Sequence, residues 1–494
     1  MIVLQRFTTL LLFFITVWIP ANAIAQQNEE IQTLSLQAAI EMAKENSPLA
    51  NSARYQLIAN QWSYQSYRSD LLPGLSFSGN APNYNRNFRE LLNPDGTTSV
   101  IYTQQSNASA TAQISQPIVF TGGSVNVTSG IQRYGIFFGE NTYQWTSTPF
   151  SVSYIQPLFA FNNLKWRSRI EPLQLQIAER EYVEAIEQLS LTVSQRYFDV
   201  LLAKINLDIA EFNVAVNDSV YNISQGRYNV GSIAENDLLQ SELELRNAES
   251  SLSQAEISYN DQLKSFRLVL GLEADFPIDV ELPPAPPEMD VDSQFALEMA
   301  LQNNSTSLNF ELQETQADRT MDQAVKQNTF QATAGISYGL SQTSPDFGML
   351  YQEPLSRQGV NFQFQVPIFN WGKQQAEINA ARNTQRRVAD DISYSQRQFE
   401  LSIQSSVDEF RQLANQYHLA QLSDQIAERR YNVSRDRYLI GRIDITNLFI
   451  AQRERDTARR NYIQALRNYW VGTYTIRRLT LYDFSENRII DYNH

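Results

Sequence analysis

The sequence contains the same pattern twice, which restricts the chain to a duplicated architecture. The segment from Tyr221 to Gly231 recurs 210 residues later as the segment from Tyr431 to Gly441. At the same offset Gln156-Pro157-Leu158-Phe159 meets Val366-Pro367-Ile368-Phe369. Identical pairs further along are Leu238 and Leu448, Glu244 and Glu454, Ala248 and Ala458, and Tyr259 and Tyr469. Because a repeat of this length indicates that two parts of the chain share one structure, we interpret the chain as a tandem duplication.

The two halves differ in length. The segment from Ala39 to Ala43 is echoed 257 residues later by the segment from Ala296 to Ala300, so the first half holds an insert between these landmarks. We predict a first repeat over 26–282, a proline-rich linker over 283–287, a second repeat over 288–482 and a C-terminal tail over 483–494. The insert is predicted to lie at about 80–148.

Residues 1–25 have the layout of a secretory signal peptide. Arg6 supplies the positive charge, an unbroken apolar run extends from Leu10 to Ile19, and Ala23-Ile24-Ala25 forms a small-residue cleavage site. The apolar run is too short for a membrane-spanning helix, which needs about 20 residues. We therefore predict that the mature chain is exported and that it crosses a membrane only as β-structure.

Heptad repeats predict long helices that pack as coiled coils. One apolar stripe recurs every seven residues from Ile186 to Tyr221, and another from Ile403 to Tyr417. Neither proline nor glycine occurs between Pro172 and Gly226, or anywhere in 374–435. A continuous helix from Asn163 to Gln225 would be about 90 Å long. The stripes are narrow and leave most of each helix polar, as in the wall of a water-filled tube.

Segments with an apolar residue at every second position precede each long helix. They include Leu75 and Phe77, Phe150 to Tyr154, Ala332 to Leu340, and Val360 to Phe364. This pattern is typical of transmembrane β-barrel strands, and equally of soluble sandwich strands with one wet face. Four strands cannot close a barrel, and open edges in hydrocarbon would leave backbone groups unpaired. If these strands span a membrane, several copies must share one barrel.

Three motifs occur in the same order in both halves: Ala-x-Glu-Met-Ala openings, x-Pro-x-Phe strand ends and Arg-Tyr-x-x-Gly turns. In this order they resemble the TolC family of outer-membrane efflux channels, over nearly all of 34–482. The resemblance implies a mainly α protein with a membrane β-barrel sector. It implies a homotrimer with a 12-strand barrel in the cell outer membrane and a 12-helix coiled-coil tunnel through the periplasm.

The same resemblance implies a function and partners. The protein would be the passive exit duct of a tripartite efflux or type I secretion system, surrounded by outer-membrane lipid. Its protein partners would be a periplasmic adaptor (membrane fusion) protein and an inner-membrane pump. A periplasmic coiled-coil scaffold or adhesin without a pore is the alternative, and it has no use for apolar-out strands.

The resemblance also places a gate and a docking site at the periplasmic end. Gly231 and Gly441 would mark the two tips where the adaptor docks. Asp237 and Tyr438 stand at positions where the family closes the tunnel with a hydrogen bond, and Arg442 is next to the position of a gate arginine. The family's entrance aspartates are replaced by Asn447 and Ile450, with Asp444 about one turn away as the candidate substitute. We therefore do not expect a cation-binding aspartate ring.

The insert at about 80–148 has no counterpart in the second half. Asn93-Pro94-Asp95-Gly96 and Thr121-Gly122-Gly123 are turn signals, and alternation runs between them from Ala110 to Val119. We interpret the insert as an enlarged extracellular loop with its own hairpin. The rival interpretation is two added barrel strands per copy.

Nothing in the sequence predicts catalysis, a metal site or a cofactor. There is no cysteine, and the two histidines, His418 and His494, are far apart in the sequence. Arg453, Arg455, Arg459 and Arg460 alternate with Glu454 and Asp456, which predicts a salt-bridged helix surface. The net charge of −14 argues against a nucleic-acid partner, because an acidic protein repels phosphate.

Overall fold

The computed structural model describes residues 32–137 and 141–492, and the predicted signal peptide lies outside this range. The helices of the first half are α1 (Leu36–Asn46), α2 (Pro48–Asp70), α3 (Asn163–Asn229) and α4 (Glu235–Leu270). Those of the second half are α5 (Ser293–Asn303), α6 (Ser305–Gln327), α7 (Lys373–Leu439) and α8 (Ile445–Thr480). Each half thus contains helices of 11, 23, 67 and 36 residues in that order, so the sequence repeat is also a structural one.

The strands fall into one large sheet and two small ones. The large sheet contains β2 (Gly74–Leu92), β3 (Thr98–Pro117), β4 (Ser124–Ile136), β5 (Thr142–Leu158), β7 (Gln331–Ser344) and β8 (Leu355–Gln365). The small pairs are β1 (Gln32–Leu34) with β6 (Ile278–Val280), and β9 (Tyr482–Asp483) with β10 (Arg488–Ile489).

The predicted long helices are confirmed. The side chain of Asn162 starts α3 by accepting a hydrogen bond from the Lys165 amide at 3.1 Å, and the helix continues through Pro172, which lies inside it. At 1.5 Å per residue, helices of this length extend about 100 Å. None of the described helices contains a stretch long and apolar enough to cross a membrane.

The helices form a single row. Helix α3 packs against α4 and α8, and α8 packs against α7, so the order is α4–α3–α8–α7. Nearer the large sheet, α2 and α6 lie beside α3 and α7. The main apolar core is at the middle of the row, where α1 and α5 cover the long helices, and its largest fully buried side chains include Tyr197, Phe198, Phe266 and Phe410. Helices α4 and α7 are the two edges of the row.

The large sheet has six antiparallel strands in the order β2-β3-β4-β5-β7-β8, not the four that we predicted from the sequence. The two additional strands, β3 and β4, come from the insert, so its interpretation as only an extracellular loop with a hairpin is wrong. The alternation in β3 is weak because three of its apolar positions, Ala108, Ala110 and Ala112, are alanines. The repeat also offered no second copy of these strands for comparison.

The hairpin of β2 and β3 extends beyond the rest of the sheet. Its strands pair as far as Leu92 with Thr98, whereas β4 pairs with β3 only as far as Gln105. The predicted turn closes it, with Gly96 at φ 80° and a hydrogen bond of 2.8 Å from the Asn93 amide to the Thr97 carbonyl. A projecting hairpin is therefore present, but as an extension of the sheet.

The two faces of the sheet differ in polarity. Residues paired across antiparallel strands share a face, so the strand register shows which side chains lie on each one. One face, here called the apolar face, carries Leu75, Phe77, Ile114, Val125, Val127, Val152, Tyr154, Ile336, Val360 and Phe362. The other, the polar face, carries Ser76, Ser78, Thr111, Gln113, Asn126, Thr128, Ser151, Ser153, Thr333, Ser337, Asn361 and Gln363. The predicted apolar and small-polar alternation is confirmed, and it continues across all six strands.

Candidate functional site at the helix tips

The two long helices end in the same backbone motif. The Gly231 amide donates to the Tyr228 carbonyl at 2.9 Å, and the Ser232 amide donates to the Arg227 carbonyl at 2.8 Å. In the second half Gly441 and Arg442 repeat these bonds, both at 2.9 Å. The glycines have φ of 71° and 73°, a conformation that a residue with a Cβ adopts only with strain. Each long helix is therefore closed by a glycine in the Schellman arrangement.

The helices that follow the two turns start differently. Asp444 caps α8, its Oδ1 accepting from the Asn447 amide at 2.8 Å and from Asn447 Nδ2 at 2.9 Å. The equivalent residue before α4 is Ala234, which offers no side-chain cap, and here the acidic residues Glu235 and Asp237 lie inside the first turn. Asp237 is the repeat equivalent of Asn447. Both helices therefore begin with acidic charge, which interacts favourably with the helix dipole, but the acidic residues occupy different positions in the two repeats.

Tyr438 contacts α3 rather than Asp237. Its hydroxyl lies 3.4 Å from Ser224 Oγ, and the Arg227 guanidinium lies 5.1 Å from the centre of its ring. Arg227 Nη2 also donates to the carbonyls of Tyr438 and Leu439, at 3.4 and 3.3 Å. In the described chain the predicted bond between Asp237 and Tyr438 is not formed, because the hydroxyl is turned towards Ser224. Ser224 and Arg227 of α3 therefore both contact the end of α7.

A cavity of about 670 Å³ lies between the two tips. Its lining includes Asp237, Tyr438, Gly441, Arg442 and Asp444, so five of the eight predicted residues are brought together. Gly231 precedes two further lining residues, Ser232 and Ile233. Asn447 is exposed beyond the cavity, and Ile450 lies in a separate groove between α7 and α8 that Leu419 and Arg453 also line.

A buried polar cluster further along the helix row was missed by the sequence analysis. Arg455 and Asp456, predicted to be surface residues, are only 8% and 5% exposed and form an ion pair of 2.6 Å. Asn213 Nδ2 donates to Asp456 Oδ2 at 2.8 Å, and Gln452 Nε2 donates to Asn213 Oδ1 at 2.7 Å. The surface interpretation holds for Arg453, whose pair with Glu244 is exposed.

Two aromatic rings from two other helices enclose the Arg455 guanidinium. It lies 4.3 Å from the ring centre of Phe212 on α3 and 4.4 Å from that of Tyr431 on α7. Cation–π contacts of this kind strengthen when water is excluded. Arg455 therefore joins α3, α7 and α8 at one level. The sequence feature that could have indicated this cluster is Tyr431, which falls on the buried heptad of α7 with Phe410, Tyr417 and Tyr438.

Comparison with known proteins decides the family. The sequence profile of the outer membrane efflux protein family matches residues 124–272 and 296–480, more than half of the chain. The chain belongs to the outer membrane efflux protein family. The resemblance inferred from the repeated motifs is thereby confirmed. No curated protein sequence is significantly similar.

Solved structures share the fold of this outer membrane efflux protein. The Campylobacter jejuni CmeC outer membrane channel has a TM-score of 0.66 and 15% identity, with 93% of this chain and 87% of that chain covered. The Vibrio cholerae outer membrane protein VceC gives 0.63 and 13%, with 90% and 96% covered. The open state of the Neisseria gonorrhoeae MtrE outer membrane channel gives 0.59 and 16%, with 90% and 88% covered.

As a member of this family, the protein is a transport channel of the outer membrane that extends into the periplasm, and it is not an enzyme. The described residues contain no group of three or more histidine, cysteine or acidic side chains that could hold a metal ion. His418 is exposed, with Nε2 3.7 Å from Glu288 Oε1, and His494 lies outside the described residues.

Proposed function

We propose that three copies of this chain form one passive exit duct in a tripartite efflux or type I secretion system. The polar faces of the sheets line a barrel in the outer membrane, and the helix rows form a 12-helix tunnel through the periplasm. A periplasmic adaptor protein docks at the tips and opens them, and an inner-membrane pump loads the cargo. The main support is that both the sheet and the helix row of one chain end in unpaired edges.

Open sheet edges are the first support. Strands β2 and β8 each have one paired neighbour, and every residue of β8 is exposed. In hydrocarbon, unpaired backbone groups cost several kcal/mol each, so a sheet placed in a membrane has to be closed. Pairing β8 of one copy with β2 of the next satisfies both edges.

The edge of the helix row is the second support. On α7, the buried heptad packs against α3 and α8, and a second heptad lies on the exposed surface of the helix and extends to its C-cap residue Ile440. The second heptad consists of Leu419, Ile426, Val433 and Ile440, each more than half exposed. An exposed apolar stripe at heptad spacing is the pattern of an unfilled coiled-coil seam. We assign its partner as α4 of the next copy, where Leu239 and Leu243 are exposed near the same end.

Charge complementarity supports this pairing. Near the tip, α4 carries Glu235, Asp237 and Glu242, whereas the end of α7 is more basic than acidic, with Arg429, Arg430, Arg435 and Arg437 against Glu428 and Asp436. Arg437 makes no ion pair within the described chain, and Arg429 bonds only to the Gln425 carbonyl. Opposite charges at flanking positions favour the intended partner in coiled coils.

The double substitution Ile426→Glu and Val433→Glu tests the proposal. It places two charges in the α7 stripe, so we expect the purified protein to lose its trimer and its channel activity. The control is Gln425→Glu, which adds a charge on the same helix turn outside the stripe. A monomeric and non-conducting unmodified protein, or its recovery from the soluble periplasm without detergent, would favour the scaffold alternative.

A further inference from the structure

We propose that the barrel of this channel contains 18 strands, six from each of three copies, and that its exit is about half again as wide as a 12-strand barrel. The inference rests on the proposed function, because it takes three copies as given.

The added strands are fully integrated in the sheet. Strand β4 pairs with β3 from Ile136 opposite Gln105 to Ser124 opposite Pro117, without a register break. On its other side β4 pairs with β5 from Ser124 opposite Ile155 to Ile136 opposite Thr142, with one bulge. A hairpin lying outside the barrel would leave β5 free to pair with β2, but both of its edges are already occupied by β4 and β7.

The turn between β3 and β4 is anchored to the start of α3. Asn162, which caps that helix, donates from Nδ2 to the Val119 carbonyl at 2.9 Å. Gln156 Nε2 on β5 donates to the Thr121 carbonyl, also at 2.9 Å. A Cβ at Gly123 would lie 2.6 Å from Gln156 Oε1, so the turn approaches β5 as closely as a glycine allows. The end of the added hairpin is thus built into the junction of sheet and tunnel.

Both faces of the added strands match their neighbours. Val125 and Val127 of β4 continue the apolar face between Ile114 of β3 and Val152 of β5. Asn126 and Thr128 continue the polar face. With 13 residues, β4 exceeds the roughly 9 to 11 that a tilted strand needs to cross a bilayer. Strands of this length and polarity suit a barrel wall.

An even number of strands per copy also permits closure. All neighbouring strands are antiparallel, so the first and sixth run in opposite directions. Strand β8 of one copy therefore meets β2 of the next antiparallel, and three copies close without a mismatched seam.

The width follows from strand geometry. Neighbouring strands lie about 4.8 Å apart, and barrel strands tilt by about 40°. With these values a ring of 18 strands is about 36 Å across between backbones, and a ring of 12 strands about 24 Å. The polar face consists largely of serine, threonine, glycine, asparagine and glutamine, which take little of this width. The barrel would then not select cargo by size, and the tips would be the narrowest point.

Electron microscopy of the purified protein in lipid nanodiscs tests the inference. Viewed down the axis, the unmodified trimer should show a barrel ring about 1.5 times wider than that of a variant lacking 98–136. This variant removes β3 and β4 and keeps the antiparallel order of the four remaining strands, so it should form the 12-strand ring. A ring of about 24 Å for the unmodified trimer would overturn the inference while leaving the exit duct intact.

The ring width of the unmodified protein decides the question even if the shortened variant does not assemble. Failure of the unmodified protein to form a trimer would instead refute the proposed function. The two failures are therefore distinguishable.

Discussion

Arg455 and Asp456 are neighbours on α8 that form an ion pair inside the protein, with Arg455 Nη2 2.6 Å from Asp456 Oδ1. Because the guanidinium also lies between Phe212 and Tyr431, this pair joins three helices at one level of the helix row. Arg453, two residues earlier on α8, forms an exposed pair with Glu244 of α4. Both are pairs of an arginine with a carboxylate, and they differ in whether the pair is buried or exposed to solvent.

We expect Arg455→Met to lower the free energy of unfolding by about 3–5 kcal/mol, because it leaves the Asp456 carboxylate buried without its cation. Arg453→Met should cost no more than about 1 kcal/mol, because its pair is exposed. Denaturant unfolding of the purified variants measures both values. Equal losses would show that the buried cluster is not a stabilising junction.

Gly231→Ala and Gly441→Ala should each destabilise the tips by about 1–2 kcal/mol, because alanine is strained in the left-handed conformation. A Cβ at either position would meet no atom within 4 Å, so the cost is in the backbone alone. Gly226→Ala is the matched control, since Gly226 lies inside α3 with equally open surroundings, and alanine should stabilise the helix there by about 1 kcal/mol. Hydrogen exchange of the amides at the end of α3 compares Gly231→Ala with this control. Destabilisation in Gly226→Ala as well would contradict the assignment.

Arg227→Met should raise the resting conductance of the reconstituted channel, because Arg227 donates to two carbonyls at the end of α7 and covers the Tyr438 ring. Arg246→Met provides the comparison, since Arg246 is exposed and pairs only with acidic residues of its own helix. The observation to look for in planar bilayers is a leak in the first variant and none in the second. Unchanged conductance in Arg227→Met would remove Arg227 from the closing contact.

Acid should weaken the junction of α3 with β6. Burial raises the pKa of Asp279, but hydrogen bonds from Lys204 Nζ, the Val280 amide and the Tyr259 hydroxyl outweigh burial and hold this pKa below its usual value. A lowered pKa in the folded state stabilises the protein above the unfolded pKa of about 4, and the contribution is lost as pH falls through the folded value.

Thermal unfolding measured between pH 7 and pH 3 tests this. Lys204→Met should reduce the loss of stability on acidification, because the favourable pair is already absent. Lys264→Met, which removes an exposed pair with Asp261, should leave the pH dependence as it is. An unchanged slope in Lys204→Met would argue against the assignment.

Much of the fold could be predicted because the same sequence motifs occur in both halves of the chain. Gly231 and Gly441 marked the ends of both long helices, and the glycine-free stretches before them gave the helix lengths. The alternation around Val360 and Phe362 was strong enough to predict strands. In each case one local rule, such as the left-handed conformation of a helix-ending glycine, determines the structure without help from distant residues.

The missed features depend on contacts between distant segments. Three of the apolar positions of β3, Ala108, Ala110 and Ala112, are alanines, whose weak contrast with serine and threonine makes the strand hard to recognise until its neighbours are known. Asp456 was hidden for a similar reason, since its partner Asn213 is 243 positions away along the chain. The Tyr438 hydroxyl could not be placed from sequence, because Ser224 and Asp237 flank the same tip.

The proposed exit duct requires that one chain is an open sector of the assembly and that other copies complete it. Its most direct test combines the native mass of the detergent-solubilised protein with single-channel recording of the same sample. We expect a trimer that conducts after reconstitution into planar lipid. A stable monomer that does not conduct would contradict the account, because the unpaired edges of β2, β8, α4 and α7 would then need another explanation.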